Sequence, residues 1–180
     1  MELIQGVIMK KLLLTALFVL PLAANAVDWI DLGKSKDKQL QTFLDYDSVK
    51  RQELTVYGGG SSFRSSKEKS KYISAILQLT YINNHPLRRK GMYYSKEQWF
   101  ISCEDGTYFT KARIDYGFKD EVVDSWQSSK STLSEADFSY AFPETMGGSA
   151  IEQACNSLLL KELDSTENYE EFRRKYIFDD

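Results

Sequence analysis

The chain has 180 residues, a formal net charge of −3 and an apolar content of 42%, values typical of one globular domain rather than a disordered protein. The negative net charge gives no whole-chain electrostatic reason for binding nucleic acid. Eleven tyrosines and ten phenylalanines favour a strand-rich fold, because aromatic side chains pack well on sheets.

Residues 1–26 have the three parts of a signal peptide. Lys10 and Lys11 form a basic start, the segment 12–20 is almost wholly apolar, and 24–26 is a small-residue cleavage site, an arrangement that fits a start at Met9. The apolar run is short for a membrane span, and no cysteine directly follows it, so we expect neither a membrane anchor nor a lipid anchor. We therefore predict a soluble protein that is exported to an oxidising compartment: the periplasm, the cell surface or the medium.

Alternation of polar and apolar residues predicts most of the strands. It is clearest at 71–82, where Ile73, Ala75 and Leu77 share one face. Further strands are predicted at 42–46, 53–57, 97–103, 107–118 and 121–126, with a turn at 47–48 and a hairpin turn at 105–106. In the strand 107–118, the pattern places Tyr108, Ala112, Ile114, Tyr116 and Phe118 on one face and Lys111, Arg113 and Asp115 on the opposite, polar face.

After residue 148, the spacing of the apolar residues becomes that of a helix. Ile151, Ala154, Cys155, Leu158 and Leu159 are the apolar positions of the predicted helix, and Ser149 with Glu152 predicts a capping box at its start. A second short helix is predicted within 161–180. Strands followed by helices, without strand–helix alternation, indicate an α+β fold with an antiparallel sheet.

Cys103 and Cys155 are the only cysteines in the chain. Cys103 ends a predicted strand and Cys155 lies on the apolar side of the predicted helix, positions where apolar residues normally pack. An even number of cysteines in an exported chain favours a disulfide. Free buried thiols and a catalytic thiol are the alternatives, and a catalytic thiol needs a base or a cation beside it.

His85 is the only histidine, and it precedes a proline in a predicted surface loop. One histidine is too few for the usual zinc sites, the carboxylates lack calcium-loop spacing, and serine catalysis would need His85 as its base. The glycines at 58–60 lack the lysine and the following helix of a phosphate-binding loop. We therefore predict no catalytic residues, no metal and no cofactor.

A basic cluster after His85 is the candidate binding site for acidic proteins or sulfated glycans. Its members are Arg88, Arg89 and Lys90, joined by Arg64, Lys67 and Lys69 from the Gly/Ser/Lys-rich segment 58–70. A solvated hairpin end without a partner is the alternative interpretation.

Several short motifs follow one another in a characteristic order. They are Trp29, "FLDYDSV", "YYSKEQWFISC", Trp126 and "FPETMGGSAIEQAC", the last ending at Cys155. In this order, and with both cysteines, the chain resembles the surface-adhesin protein E family of bacteria over about residues 27–160. We therefore divide the chain into a signal peptide (1–26), an adhesin E-like domain (27–160) and a short helical extension (161–180).

The resemblance implies a six-stranded antiparallel sheet packed against a C-terminal helix, with Cys103–Cys155 joining helix and sheet. It also implies an exported, non-enzymatic module that binds host extracellular-matrix or serum proteins and that can dimerise. Because the best-known family member has a lipid anchor and this chain has no cysteine for one, a periplasmic binding, inhibitor or envelope accessory module is the main alternative. A small hydrolase, which would have to use His85 and Cys103, is the alternative of another class.

Overall fold

The computed structural model of the protein describes residues 27–57 and 72–164. The predicted signal peptide (1–26), three members of the predicted basic patch (Arg64, Lys67 and Lys69) and the predicted helix beyond Asp164 lie outside the described residues.

In chain order, the described elements are β1 (Trp29–Lys34), β2 (Leu40–Gln52), β3 (Val56–Tyr57), β4 (Tyr72–Tyr81), α1 (Pro86–Arg89), β5 (Tyr94–Ser102), β6 (Thr107–Tyr116), β7 (Val122–Gln127), β8 (Leu133–Ser134), β9 (Ser139–Tyr140) and α2 (Met146–Asp164). Short 3-10 turns occupy Phe118–Asp120 and Glu135–Asp137.

In the described part of the chain, one antiparallel sheet has the strand order β1-β2-β4-β5-β6-β7, and β9 pairs with the first two residues of β6 as a seventh strand. β3 and β8 form a separate parallel pair. The predicted fold class, an α+β protein with an antiparallel sheet packed against a C-terminal helix, is confirmed. α2 continues to Asp164, past the predicted domain boundary at residue 160, and the boundary itself stays a prediction.

The main core lies between α2 and the sheet face that we call the helix face. Its members from the sheet are Leu44, Val49, Ile73, Ala75, Leu77, Trp99 and Ile101, and those from α2 are Ala150, Ile151 and Ala154. The alanines let the helix approach the strands closely, while the larger residues fill the space between them. Each fully buried leucine or isoleucine contributes roughly 1.5–3 kcal/mol to folding, so this core holds the helix on the sheet.

The opposite face of the sheet is covered by a smaller core at one end, where Val56, Tyr72, Phe100 and Leu133 are buried together. Toward the other end, most side chains on this side are half buried. We call this part the open face. Its half-buried members are Trp29, Gln41, Phe43, Asp45, Ile76, Gln78, Thr80, Tyr94, Lys96, Gln98, Ala112 and Tyr116, and Asp31 and Ile114 are exposed on the same face.

β2 runs through the predicted turn at 47–48, so that prediction is wrong. The Ser48 hydroxyl donates to the Asp45 carbonyl at 2.7 Å and accepts from the Ile76 amide at 2.8 Å. These bonds replace ladder bonds where the pairing with β4 shifts between Asp45 and Lys50. Asp and Ser are typical turn residues, but here they form an irregularity within a long strand.

β6 also departs from simple alternation, and this changes the side on which its charged residues lie. Gln98 pairs with Ala112 and Trp99 pairs with Thr110, so Lys111 is an extra residue in the strand. One extra residue reverses the facing of every side chain that follows it. Arg113 and Asp115 therefore lie on the helix face, and the prediction that Tyr108 shares a face with Ala112 and Ile114 is wrong.

α2 begins at Met146, three residues before the predicted cap at Ser149. The Thr145 hydroxyl accepts from the Gly148 amide at 3.2 Å, and the Thr145 carbonyl accepts from the Ser149 amide at 3.0 Å. Thr145 is therefore the N-cap. The glycines at 147 and 148 disfavour helix in isolation, which is why the sequence pattern placed the start too late.

We expect Gly148→Ala to destabilise the fold by about 1–3 kcal/mol, the usual cost of overpacking. A Cβ atom at this position would lie 2.2 Å from the Phe142 carbonyl oxygen, a backbone atom that cannot move freely. Urea unfolding measures the change in the free energy of unfolding. Gly147→Ala is the matched control, because its Cβ would lie 3.3 Å from the Ala141 Cβ and alanine favours the helix. Equal effects of the two substitutions would contradict this packing.

Candidate binding site

Cys103 and Cys155 form a disulfide, with their Cα atoms 5.9 Å apart. Cys103 follows the last residue of β5, and Cys155 lies within α2, half buried against the main core. The bond therefore ties the helix to the sheet. Because these are the chain's two cysteines, neither is a free thiol in the folded protein.

His85 has a structural place at the start of α1. Its Nδ1 accepts from the Leu87 amide at 3.2 Å, which caps the helix, and its ring stacks on Tyr81 with ring centres 4.6 Å apart. The described part of the chain contains no cluster of three or more His, Cys, Asp or Glu side chains placed to hold a metal ion. Within 27–57 and 72–164, no helix is long and apolar enough to cross a membrane.

The predicted basic cluster lies at the end of the sheet where α1 and the β6–β7 turn come together. Arg88 and Arg89 form the last turn of α1, Lys90 caps it, and the side chains of Arg89 and Lys90 are exposed. The Arg88 guanidinium carbon lies 3.1 Å from the centre of the Tyr93 ring, a cation–π contact that fixes its direction. Whether Arg64, Lys67 and Lys69 join this cluster stays a prediction.

Two residues from the β6–β7 turn extend the cluster. The Tyr93 ring lies 5.8 Å from the ring of Phe118, and Lys119 Nζ lies 5.5 Å from the centre of the Phe118 ring. Phe118 is 61% exposed, so a large apolar ring stands in solvent beside Lys119 and next to the ring that holds Arg88. We call this surface the cation–aromatic tip, and its members are Arg88, Arg89, Lys90, Tyr93, Phe118 and Lys119.

The backbone that presents Phe118 is strained. Lys119 and Asp120 have φ of 58° and 63°, a left-handed conformation that costs roughly 1–2 kcal/mol for each residue with a side chain. Two hydrogen bonds hold it: the Gly117 amide donates to the Glu121 carbonyl at 2.7 Å, and the Tyr94 hydroxyl donates to Asp120 at 2.9 Å. Burial and this bond to Asp120 raise the pKa of Tyr94 to about 12, so Tyr94 remains a donor.

A set of polar side chains, buried or half buried, lies on the helix face at the same end of the sheet. We call it the buried polar network, and its members are Tyr81, Ser95, Glu97, Arg113 and Asp115. The Ser95 hydroxyl donates to the Asp115 carboxylate in a short bond and lies 2.5 Å from the Tyr81 hydroxyl. Burial raises the pKa of Tyr81 above its ordinary value, which keeps its hydroxyl protonated.

Arg113 supplies the positive charge of this network. Its Nε donates to Asp115 at 2.9 Å, one terminal nitrogen donates to Tyr81 at 2.9 Å, and the other donates to Glu97 at 3.4 Å. Burial disfavours the charged form of Arg113 and so lowers its pKa. The hydrogen bond to Asp115 and the nearby acidic groups raise the pKa by more, so the overall shift is upward. Arg113 thus bridges one carboxylate on β5 and one on β6, so the network holds together the strand ends that carry the cation–aromatic tip.

No protein-family model matches the sequence, and a search of curated proteins finds no match. A search of solved structures finds crystal form II of Haemophilus influenzae protein E, at 10% sequence identity and a TM-score of 0.41. The similarity covers 74% of this chain and 94% of that chain. The chain therefore has a weak structural similarity to protein E.

Proposed function

We propose that this protein is an exported, non-enzymatic module that binds acidic surfaces of other proteins, such as extracellular-matrix or serum proteins, through the cation–aromatic tip. The observation that carries the proposal is the exposed Phe118 ring, which lies beside Lys119 and next to the Tyr93 ring that holds Arg88. Aromatic and arginine side chains are the residues that contribute most to protein–protein affinity when they become buried.

Further exposed apolar residues follow the cation–aromatic tip in the chain. Val122 and Val123, at the start of β7, are 58% and 47% exposed, and they follow Phe118 across the same turn. Exposed apolar residues that lie together are typical of an interaction surface, whereas single exposed residues are ordinary. An acidic partner would cover these residues while its carboxylates face Arg89 and Lys90.

The fixed geometry of the tip also favours binding. Arg88 is held on the Tyr93 ring, and the turn that carries Phe118 is held in a strained conformation by two hydrogen bonds. Strained backbone conformations concentrate at binding sites. Side chains that are already ordered lose less conformational entropy when a partner binds, so this arrangement favours affinity.

Reversing the charges of Arg88, Arg89 and Lys90 to glutamate should weaken binding to immobilised extracellular-matrix protein by about tenfold or more at low salt, and less at high salt. Biolayer interferometry at several salt concentrations measures this. Arg89→Glu alone should weaken binding by a smaller factor than the triple reversal. Lys50→Glu, an exposed charge reversal on β2 at the other end of the sheet, is the matched control and should leave the affinity unchanged. Equal affinity of all four proteins at every salt concentration would refute a role for the tip.

A further inference from the structure

The open face carries a second set of aromatic and polar side chains, away from the turns that form the cation–aromatic tip. Its centre is Lys96, whose Nζ lies 5.4 Å from the centre of the Trp29 ring and 6.0 Å from that of Tyr116. Tyr116 in turn stacks on Tyr94, with ring centres 4.6 Å apart and an angle of 16° between the planes. An ammonium group therefore stands between aromatic rings on a half-buried surface.

Lys96 and Trp29 approach each other only because both side chains extend across the strands that separate them. Lys96 is on β5 and Trp29 is on β1, and β2 and β4 lie between them. Neighbouring strands are about 4.8 Å apart, so the two backbones are separated by roughly 14 Å. The aromatic rings and the ammonium group thus form one continuous platform.

The positive charge of Lys96 has no protein counterion in the described residues: the ion pairs found in 27–57 and 72–164 involve other basic side chains, Arg51, Arg113 and Lys130. Its direct cross-strand neighbours are uncharged, with Gln78 opposite on β4 and Ile114 opposite on β6, and Gln98 lies two positions along β5. The carboxylates on this face, Asp31 and Asp45, lie on β1 and β2 and accept hydrogen bonds from Gly33, Gln41 and Ser48. A half-buried ammonium without a counterion is complementary to an anionic ligand group.

The ligand must be recognised through side chains. β4, β5 and β6 are internal strands of the sheet, so their backbone amides and carbonyls are already used in pairing. An extended acidic peptide, which binds by adding a strand, therefore has no free backbone edge here. Flat aromatic rings, two amides and one cation suit instead a ring with an apolar face, several hydroxyls and a carboxylate.

We propose that the open face binds a carboxylated sugar, with the pyranose ring on Tyr116, its carboxylate on Lys96 and its hydroxyls on Gln78 and Gln98. This site is separate from the cation–aromatic tip, because it uses the interior of the strands and one lysine rather than the turns. Binding of a sugar here does not depend on the protein-binding function proposed above.

The experiment is a calorimetric titration of oxidised protein of residues 27–180 with tetragalacturonate, a chain of four carboxylated sugars. Its methyl ester is the matched ligand, since it keeps the sugar rings and removes the charge. We expect saturable binding of the acid, and binding of the ester weaker by about tenfold or more, because a hydrogen bond between charged groups is lost. Lys96→Gln should bind the acid as weakly as the wild type binds the ester, whereas Lys90→Gln at the tip should bind it normally.

Two further measurements distinguish a carboxylated sugar from other anionic ligands. Tyr116→Leu, which keeps an apolar side chain but removes the ring, should weaken binding of both the acid and the ester. A tetra-aspartate peptide, which has the charges without the sugar rings, should bind at least tenfold more weakly than tetragalacturonate. The proposal is overturned by no saturable binding of tetragalacturonate, by equal binding of acid and ester, by an unchanged affinity of Lys96→Gln, or by equal binding of the peptide.

Discussion

Cys155→Ser should lower the free energy of unfolding of the oxidised protein by about 4 kcal/mol, according to the chain-entropy model for a loop of this length. Cys103 and Cys155 are 52 positions apart, so the bond removes many conformations from the unfolded chain. It also joins α2 to β5 directly, beside a helix whose buried core residues are mostly small. Because domains are stable by only about 5–15 kcal/mol, this loss is a large share of the total. Urea unfolding measures it.

The controls separate the bond from the side chains. Cys103→Ser should cost the same free energy as Cys155→Ser, and the double variant should cost no more than either, because all three lack one bond. A reducing agent should destabilise the wild type by a similar amount and leave the variants unchanged. Additive losses in the double variant, or a wild type that is insensitive to reduction, would show that the bond does not hold the helix.

Arg113→Met should cost about 2–3 kcal/mol, because it leaves the carboxylates of Glu97 and Asp115 without their cation. Removing one partner of a fully buried pair costs about 3–5 kcal/mol, and water screens part of this where the pair is accessible. The side chain of Arg113 is 33% exposed, whereas those of Glu97 and Asp115 are 12% and 9% exposed. Urea unfolding at neutral pH measures the change in the free energy of unfolding.

Two variants test the cause of that loss. Adding Glu97→Gln and Asp115→Asn to Arg113→Met should recover much of the stability, since no uncompensated charge then remains buried. Lys130→Met breaks the exposed ion pair with Asp137 and should cost less than about 1 kcal/mol. If the triple variant were as unstable as Arg113→Met, the loss would come from packing of the arginine side chain rather than from charge.

The sheet and its packing against a helix could be predicted because alternation is a strong signal in long strands with one buried face. The strand with Ile73, Ala75 and Leu77 is the clearest example, and the turn at 105–106 separates β5 from β6 as expected. The helical spacing of Ile151, Ala154 and Cys155 likewise identified the buried side of α2, but Leu159, predicted with them, is exposed.

Local irregularities could not be predicted, because tertiary hydrogen bonds and packing decide them. Because Lys111 is an extra residue, the side chains in the second half of β6 lie on the opposite faces from those predicted. Nothing in the sequence around it marks a bulge. Ser48 looks like a turn residue and bonds across strands instead. The start of α2 was placed late because its close approach to Phe142 requires glycines, which oppose helix formation in an isolated chain.

The candidate site was predictable in part. The basic run at 88–90 is visible in the sequence, but its aromatic partners Tyr93 and Phe118 are not adjacent to each other and meet only through the fold. The signal that could have found Phe118 is an apolar ring next to Lys119 in a short connection between two strands. The buried polar network was missed because its position depends on the bulge in β6.

The measurement that tests the central claim most directly is a pull-down with oxidised protein of residues 27–180, run in parallel on extracellular-matrix extract and periplasmic extract. The test variant of the bait is Phe118→Ser, which removes the exposed ring without changing the charge. The control is Val27→Ser, which removes an exposed apolar side chain away from the tip. The account predicts that mass spectrometry finds an acidic protein retained by the wild type and the control and lost with Phe118→Ser. Identical retained proteins for all three baits, or none from either extract, would contradict it.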